Sequence, residues 1–251
     1  MTTPLLVFDF DGVLIDGMPE YWWSARAAAL SLDAQIQLPE QAPAGFARLR
    51  PLIHKGWEMV LMAAELSGDG GDGERLVADY EGSLAQALDR RGWSPDTLQA
   101  ALERVRAETI AAAPETWLAR HRFYPGVVER LRRLPAEGAD WLVLTTKGGA
   151  FAARILAAAG LEPRAVFGHE QGSKAEVLQR LLQQERGGRP LWFLEDRRPT
   201  LERVCADPAL RAVRCFLVSW GYLGPADLCD LPLRIQRLDP GMFAAPLAQW
   251  P

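Results

Sequence analysis

Two acidic side chains, two residues apart at the end of a short apolar run, are the first groups in this chain that could do chemistry. Leu5 to Phe8 is followed at once by Asp9-Phe10-Asp11-Gly12. If the apolar run is a strand, alternation sends Phe10 toward the core and sets the two carboxylates beside one another facing a polar cleft. Carboxylates so placed suit nucleophilic or proton-transfer work. Gly12 permits tight backbone geometry and the close approach of an anion. Taken alone, these four residues also fit a plain acidic loop.

Three further polar groups follow similar runs. Thr145 comes directly after Trp141 to Leu144, and its hydroxyl can donate one hydrogen bond to an anionic oxygen without adding charge. Its neighbour Thr146 reads equally well as a helix cap. Ser173 and Glu176 have the spacing of a capping box, which starts a helix at Lys174 and carries that ammonium on the first turn. Its charge can stabilise an anion and offset the acidic pair. Glu195-Asp196 follows Leu191 to Leu194, and hard carboxylate oxygens suit Mg2+.

The elements that must position these groups alternate. Strands are expected at Leu5 to Phe8, Trp141 to Leu144, Ala165 to Phe167, Leu191 to Leu194 and Arg214 to Val218. Helices are expected at Val127 to Leu134, Ala150 to Ala159, Glu176 to Gln184 and Leu201 to Ala206. This order implies an α/β fold: a Rossmann-like parallel sheet with helices on both faces, which binds ligands at the carboxyl ends of its strands. Residues 17–120 read differently, as an inserted α-helical cap domain within a core of residues 1–16 and 121–251. Its helices are expected at Glu20 to Leu30, His54 to Leu66, Glu74 to Arg90 and Asp96 to Ala112. Leu76, Tyr80, Leu84 and Leu88 give the third an apolar stripe, and Ser94-Pro95 caps the fourth. The stretch Ser67 to Gly73 reads as an interhelical turn, because the remaining ligands of a calcium loop are missing.

Composition narrows the function classes. The 251 residues, 49% hydrophobic and 24% charged, fit a folded globular protein rather than a disordered one. A formal charge of -4 supplies no net positive field for nucleic acid, although a local pocket for a small anion is compatible with it. Cys205, Cys215 and Cys229 form neither a disulfide framework nor a zinc spacing. No apolar run reaches the length of a membrane span, and the N-terminus does not read as a signal peptide. No membrane partner and a cytoplasmic location are therefore expected, while apolar helical stripes leave the oligomeric state open.

The ordered segments "DFDGVLIDG", "LVLTTK", "GSK" and "FLED" resemble the four motifs of the haloacid dehalogenase superfamily. The closest pattern is its magnesium-dependent phosphatase branch with a helical C1-type cap. The post-strand segment "VSWGYLG" is similar to phosphoglycolate-phosphatase-like members. The resemblance implies Mg2+-dependent hydrolysis of a small organic phosphomonoester, such as 2-phosphoglycolate, through an aspartyl-phosphate. It makes Asp9 the phosphoryl acceptor and a metal ligand, and Asp11 the acid and then base, with its backbone carbonyl on the metal. Thr145, Lys174 and Gly12 would bind phosphate. Asp196 would hold Mg2+, with Glu195 supporting it directly or through water.

Asp11 favours phosphoryl transfer over dehalogenation, because the organohalide-cleaving branch lacks the second aspartate of this motif and needs no metal. Two features depart from the family pattern. Glu195-Asp196 replaces the commoner Gly-Asp or Asp-Asp, and Thr200 stands where another acid often follows. In the cap, Arg50, His54 and Lys55 form the polar cluster best suited to specificity. A sugar phosphomutase and a noncatalytic phosphate-responsive interaction protein are the alternatives.

Overall fold

The computed structural model describes residues 3–67, 73–185 and 188–251. Residues 68–72, most of the expected turn from Ser67 to Gly73, lie outside the described residues. Contacts divide the chain into two compact units, Met1–Asp16 with Arg122–Pro251, and Gly17–His121.

Among the described residues, the strands all belong to the first unit. They are β1 (Leu5–Phe8), β2 (Ile15–Asp16), β3 (Arg122–Phe123), β4 (Asp140–Leu144), β5 (Val166–Phe167), β6 (Leu191–Glu195), β7 (Val213–Val218) and β8 (Ile235–Leu238). A six-stranded sheet runs in the order β5-β4-β1-β6-β7-β8, and every pairing in it is parallel. β1 is interior, with Phe8 paired to Val143 on one side and Leu194 on the other. The chain fills the sheet outward from β1 in one direction, then crosses over to fill the other. That reversal is the switch point where open α/β sheets form a ligand crevice. The antiparallel pair β2–β3 sits where the chain leaves and re-enters this unit.

The second unit is helical among the described residues: α1 (Met18–Leu32), α2 (Ala44–Leu49), α3 (Gly56–Leu66), α4 (Glu74–Ala78), α5 (Tyr80–Arg91), α6 (Pro95–Ala112) and α7 (Pro114–Leu118). The helix expected from Glu74 to Arg90 is broken in two at Asp79. That residue leaves helical geometry at φ -142°, and its carboxylate accepts the Gly82 N–H at 3.1 Å, capping α5. Ser94 caps α6 by accepting the Thr97 N–H at 3.1 Å, with Pro95 in the first turn. Inside this unit the Arg106 guanidinium grips the Glu20 carboxylate through two 2.7 Å bonds, and neither side chain is more than 7% exposed.

Among the described residues, five α-helices complete the first unit: α8 (Val127–Arg133), α9 (Gly149–Ala158), α10 (Lys174–Gln184), α11 (Arg198–Ala206) and α12 (Pro240–Ala244). Side chains alternate across the sheet. Leu5, Val7, Leu191, Phe193, Cys215 and Leu217 join Val177, Leu181 and Val204 in one buried cluster. Phe8 faces the other way, edge-on to Trp141 and Phe243 at 6.1 and 6.3 Å. With both faces covered, the β1 residues have no exposure, as a central parallel strand requires.

Candidate active site

The site is built by strand ends. The Asp9 N–H donates to the Leu194 carbonyl at 2.8 Å, extending the β1–β6 ladder one residue past β1 and setting Asp9 beside the end of β6. Glu195 is the last residue of β6 and Asp196 the next. From α10, a complete capping box fixes the helix start: the Ser173 N–H donates to Glu176 Oε2 at 2.7 Å, and the Glu176 N–H donates to Ser173 Oγ at 3.3 Å. Lys174, the first residue of that helix, places its Nζ 2.8 Å from Asp9 Oδ1 and 2.6 Å from Glu195 Oε2.

Asp9, Glu195 and Asp196 are all buried, and each offers an oxygen within 4.8 Å of the others. Burial and the charge of Glu195 push the Asp9 carboxyl up to about 7, against the pull of Lys174. Burial also raises Glu195, with Asp196 adding to the effect and Lys174 opposing it. Burial works against the Lys174 ammonium, but Asp9 and Glu195 outweigh it and hold the group well above the ordinary lysine value. One ammonium thus faces three carboxylates. The remaining repulsion and the all-oxygen donor set both fit a hard divalent cation such as Mg2+. Lys174 occupies Glu195 Oε2 and the Arg197 N–H donates to Glu195 Oε1 at 3.2 Å, so both oxygens of Glu195 are engaged and it is less available than Asp196 to a cation.

Asp11 lies on the turn after β1, with the buried Phe10 between it and Asp9. The Leu14 and Ile15 N–H groups both donate to the Phe10 carbonyl, and the Gly12 N–H donates to Ile15, closing the turn. Gly12 has φ +91°, and a Cβ there would come within 1.9 Å of Asp196 Oδ2. Thr145 is buried at the end of β4, its N–H extending the ladder to Phe167 and its Oγ1 accepting the Lys147 N–H at 3.0 Å. Lys147, which the sequence offers only as a local anion contact with no clear assignment, is paired with an acid: its Nζ lies 3.4 Å from Asp11 Oδ1. Its position three residues after the strand run Trp141 to Leu144 was the available signal.

Arg50, His54 and Lys55 belong to the helical unit. The Arg50 guanidinium stacks over Tyr21 at 5.2 Å. The His54 N–H donates to Glu58 Oε2 at 2.7 Å, and Lys55 is an exposed residue at the start of α3. Among the described residues, no helix is long and apolar enough to cross a membrane.

Residues 3–197 match the family model for the haloacid dehalogenase-like hydrolases. The chain belongs to that family. No curated protein is similar to it at a significant level. Solved structures share its fold at low identity. One, described as a predicted phosphatase from Clostridium acetobutylicum, has a TM-score of 0.62 at 14% identity, covering 94% of both chains. A predicted phosphoglycolate phosphatase from Haemophilus somnus gives 0.59 at 19% identity, over 97% of this chain and 96% of that one. Protein Tyrosine Kinase A from Mycobacterium tuberculosis gives 0.58 at 22% identity, over 99% and 96%. Such different descriptions on one fold mean that activity has to be argued from the site.

Proposed function

We propose that this chain is a Mg2+-dependent phosphomonoester hydrolase that works through an aspartyl-phosphate on Asp9. The observation that carries the reading is the buried cluster of Asp9, Glu195 and Asp196, closed on one side by Lys174. Asp9, Asp196 and the Asp11 backbone carbonyl would hold the ion, with Glu195 beside them, directly or through a water. When bound, Mg2+ supplies charge neutralisation and Lewis acidity to the phosphoryl group.

The chain's own residues account for the two steps. An Asp9 oxygen forms a bond to phosphorus as the ester P–O bond breaks, and Asp11 gives its proton to the departing alkoxide. Thr145, Lys174 and the backbone N–H groups near Gly12 stabilise the phosphoryl oxygens. Water then attacks phosphorus, Asp11 takes its proton, and the bond to Asp9 breaks to release inorganic phosphate. The substrate is a small organic phosphomonoester, for which 2-phosphoglycolate is the first choice; relatives of similar fold described as phosphoglycolate phosphatases support it. Arg50, His54 and Lys55 are the proposed contacts to the leaving group.

The test is phosphate release from a panel of phosphomonoesters with and without Mg2+, including 2-phosphoglycolate and sugar phosphates, with Asp9→Asn as the control. Mg2+-dependent release that disappears in Asp9→Asn is expected. Full activity in chelator, an isomerised sugar phosphate as product, or binding without turnover would each contradict the reading.

A further inference from the structure

The turn that follows β7 is fastened to the site at three points. The Tyr222 N–H donates to Asp196 Oδ2 at 2.7 Å, and the Tyr222 hydroxyl donates to Asp16 Oδ1 at 2.9 Å. The Trp220 indole N–H donates to the Val13 carbonyl at 3.0 Å. Between them, Gly221 runs so close that a Cβ would stand 2.3 Å from Asp196 Cβ and 2.4 Å from the Gly12 carbonyl oxygen. Val13 and Asp16 lie on the segment after β1 that also carries Asp11 and Gly12.

We propose that Tyr222 is a positioning residue for Asp196: anchored on Asp16 through its phenol, it holds the Asp196 carboxylate in the orientation that binds the divalent cation. This rests on the reading of Asp196 as a metal ligand. A carboxylate on a single-bond rotor loses orientational freedom when it ligates an ion, and a fixed donor to one of its oxygens removes that freedom beforehand. Tyr222 supplies such a donor from its backbone. The amide is only as fixed as the turn that carries it, and the phenol ties that turn to the β1 loop. The same Asp196 oxygen is crowded by Gly12, so its position is defined from two directions.

The test is Mn2+ binding to the intact protein, followed by electron paramagnetic resonance of the free ion, with thermal unfolding in parallel. Tyr222→Phe and Asp16→Ala should each weaken Mn2+ about 10-fold, the usual cost of losing a group that orients a ligand. Asp16→Asn, whose amide oxygen still accepts from the phenol, should retain the wild-type affinity. The double variant Tyr222→Phe/Asp16→Ala should be no weaker than either single one. Asp196→Asn is the reference. If it binds Mn2+ as the wild type does, the metal reading itself fails. If it loses binding while Tyr222→Phe keeps the wild-type affinity, the metal site stands and the positioning role is overturned, whatever happens to thermal stability.

Discussion

Lys147 and Asp11 form an ion pair, Nζ to Oδ1 at 3.4 Å, on a lysine side chain only 3% exposed. A buried ammonium needs a carboxylate partner, and this one is the proposed acid and base. Lys147→Met should lower kcat for alkyl phosphates by about 10-fold, a part of the 10²- to 10⁴-fold that acid–base catalysis supplies. The loss should be smaller with p-nitrophenyl phosphate, whose leaving group needs less protonation. Steady-state kinetics on both substrates checks this. Equal losses would place the role of Lys147 elsewhere.

Gly12→Ala is predicted to abolish metal binding while sparing the sheet. Its φ of +91° disfavours any L side chain, and the new methyl would meet the Asp196 carboxylate at 1.9 Å. Calorimetric titration with Mg2+ should show no binding, with far-ultraviolet circular dichroism unchanged. Wild-type affinity would mean that Asp196 does not ligate from the position it occupies.

The Glu20–Arg106 pair should matter to the helical unit out of proportion to its size. The Trp117 indole N–H also donates to Glu20, at 3.4 Å. Removing one partner leaves an uncompensated buried charge, so Arg106→Met should destabilise this unit by about 3–5 kcal/mol. Glu20→Leu/Arg106→Met should recover much of that loss. Denaturant unfolding of the wild type and these two variants measures both effects.

Glu137 ties the C-terminal segment to α8. Partial burial works to raise its carboxyl, but hydrogen bonds from Arg130 and the Leu247 N–H outweigh this and hold it below the ordinary value of 4.5. The folded group therefore ionises at lower pH than the unfolded one. Its contribution is complete above 4.5 and is lost as pH falls through the depressed folded value. Glu137→Gln should be less stable than the wild type near neutrality, and the gap should narrow in acid. Thermal unfolding across that range tests the sign.

Five of the six strands of the main sheet were legible because each is a short apolar run bounded by polar or turn residues. β8 was not, since "IQRL" carries two polar residues in four. The pair β2–β3 was hidden by its two-residue strands. The break at Asp79 escaped because the stripe of Leu76, Tyr80, Leu84 and Leu88 continues across it, and capping by Asp79 outweighed that periodicity. The approach of Asp9, Lys174, Glu195 and Asp196 followed from strand-end placement and one capping box. The sequence marked Lys147 as a local anion contact and Tyr222 as able to hydrogen-bond near the core, but not their partners Asp11, Asp16 and Asp196, which depend on side-chain direction and on the course of a turn.

The most direct test is whether phosphorus becomes bonded to Asp9. Acid quenching during turnover of the preferred phosphomonoester, followed by mass spectrometry of the N-terminal peptide, should find one phosphoryl group on the Asp9 carboxylate and none in Asp9→Asn. Rapid turnover that leaves Asp9 unmodified at every quench time, together with a normal rate in Asp9→Asn, would contradict the account.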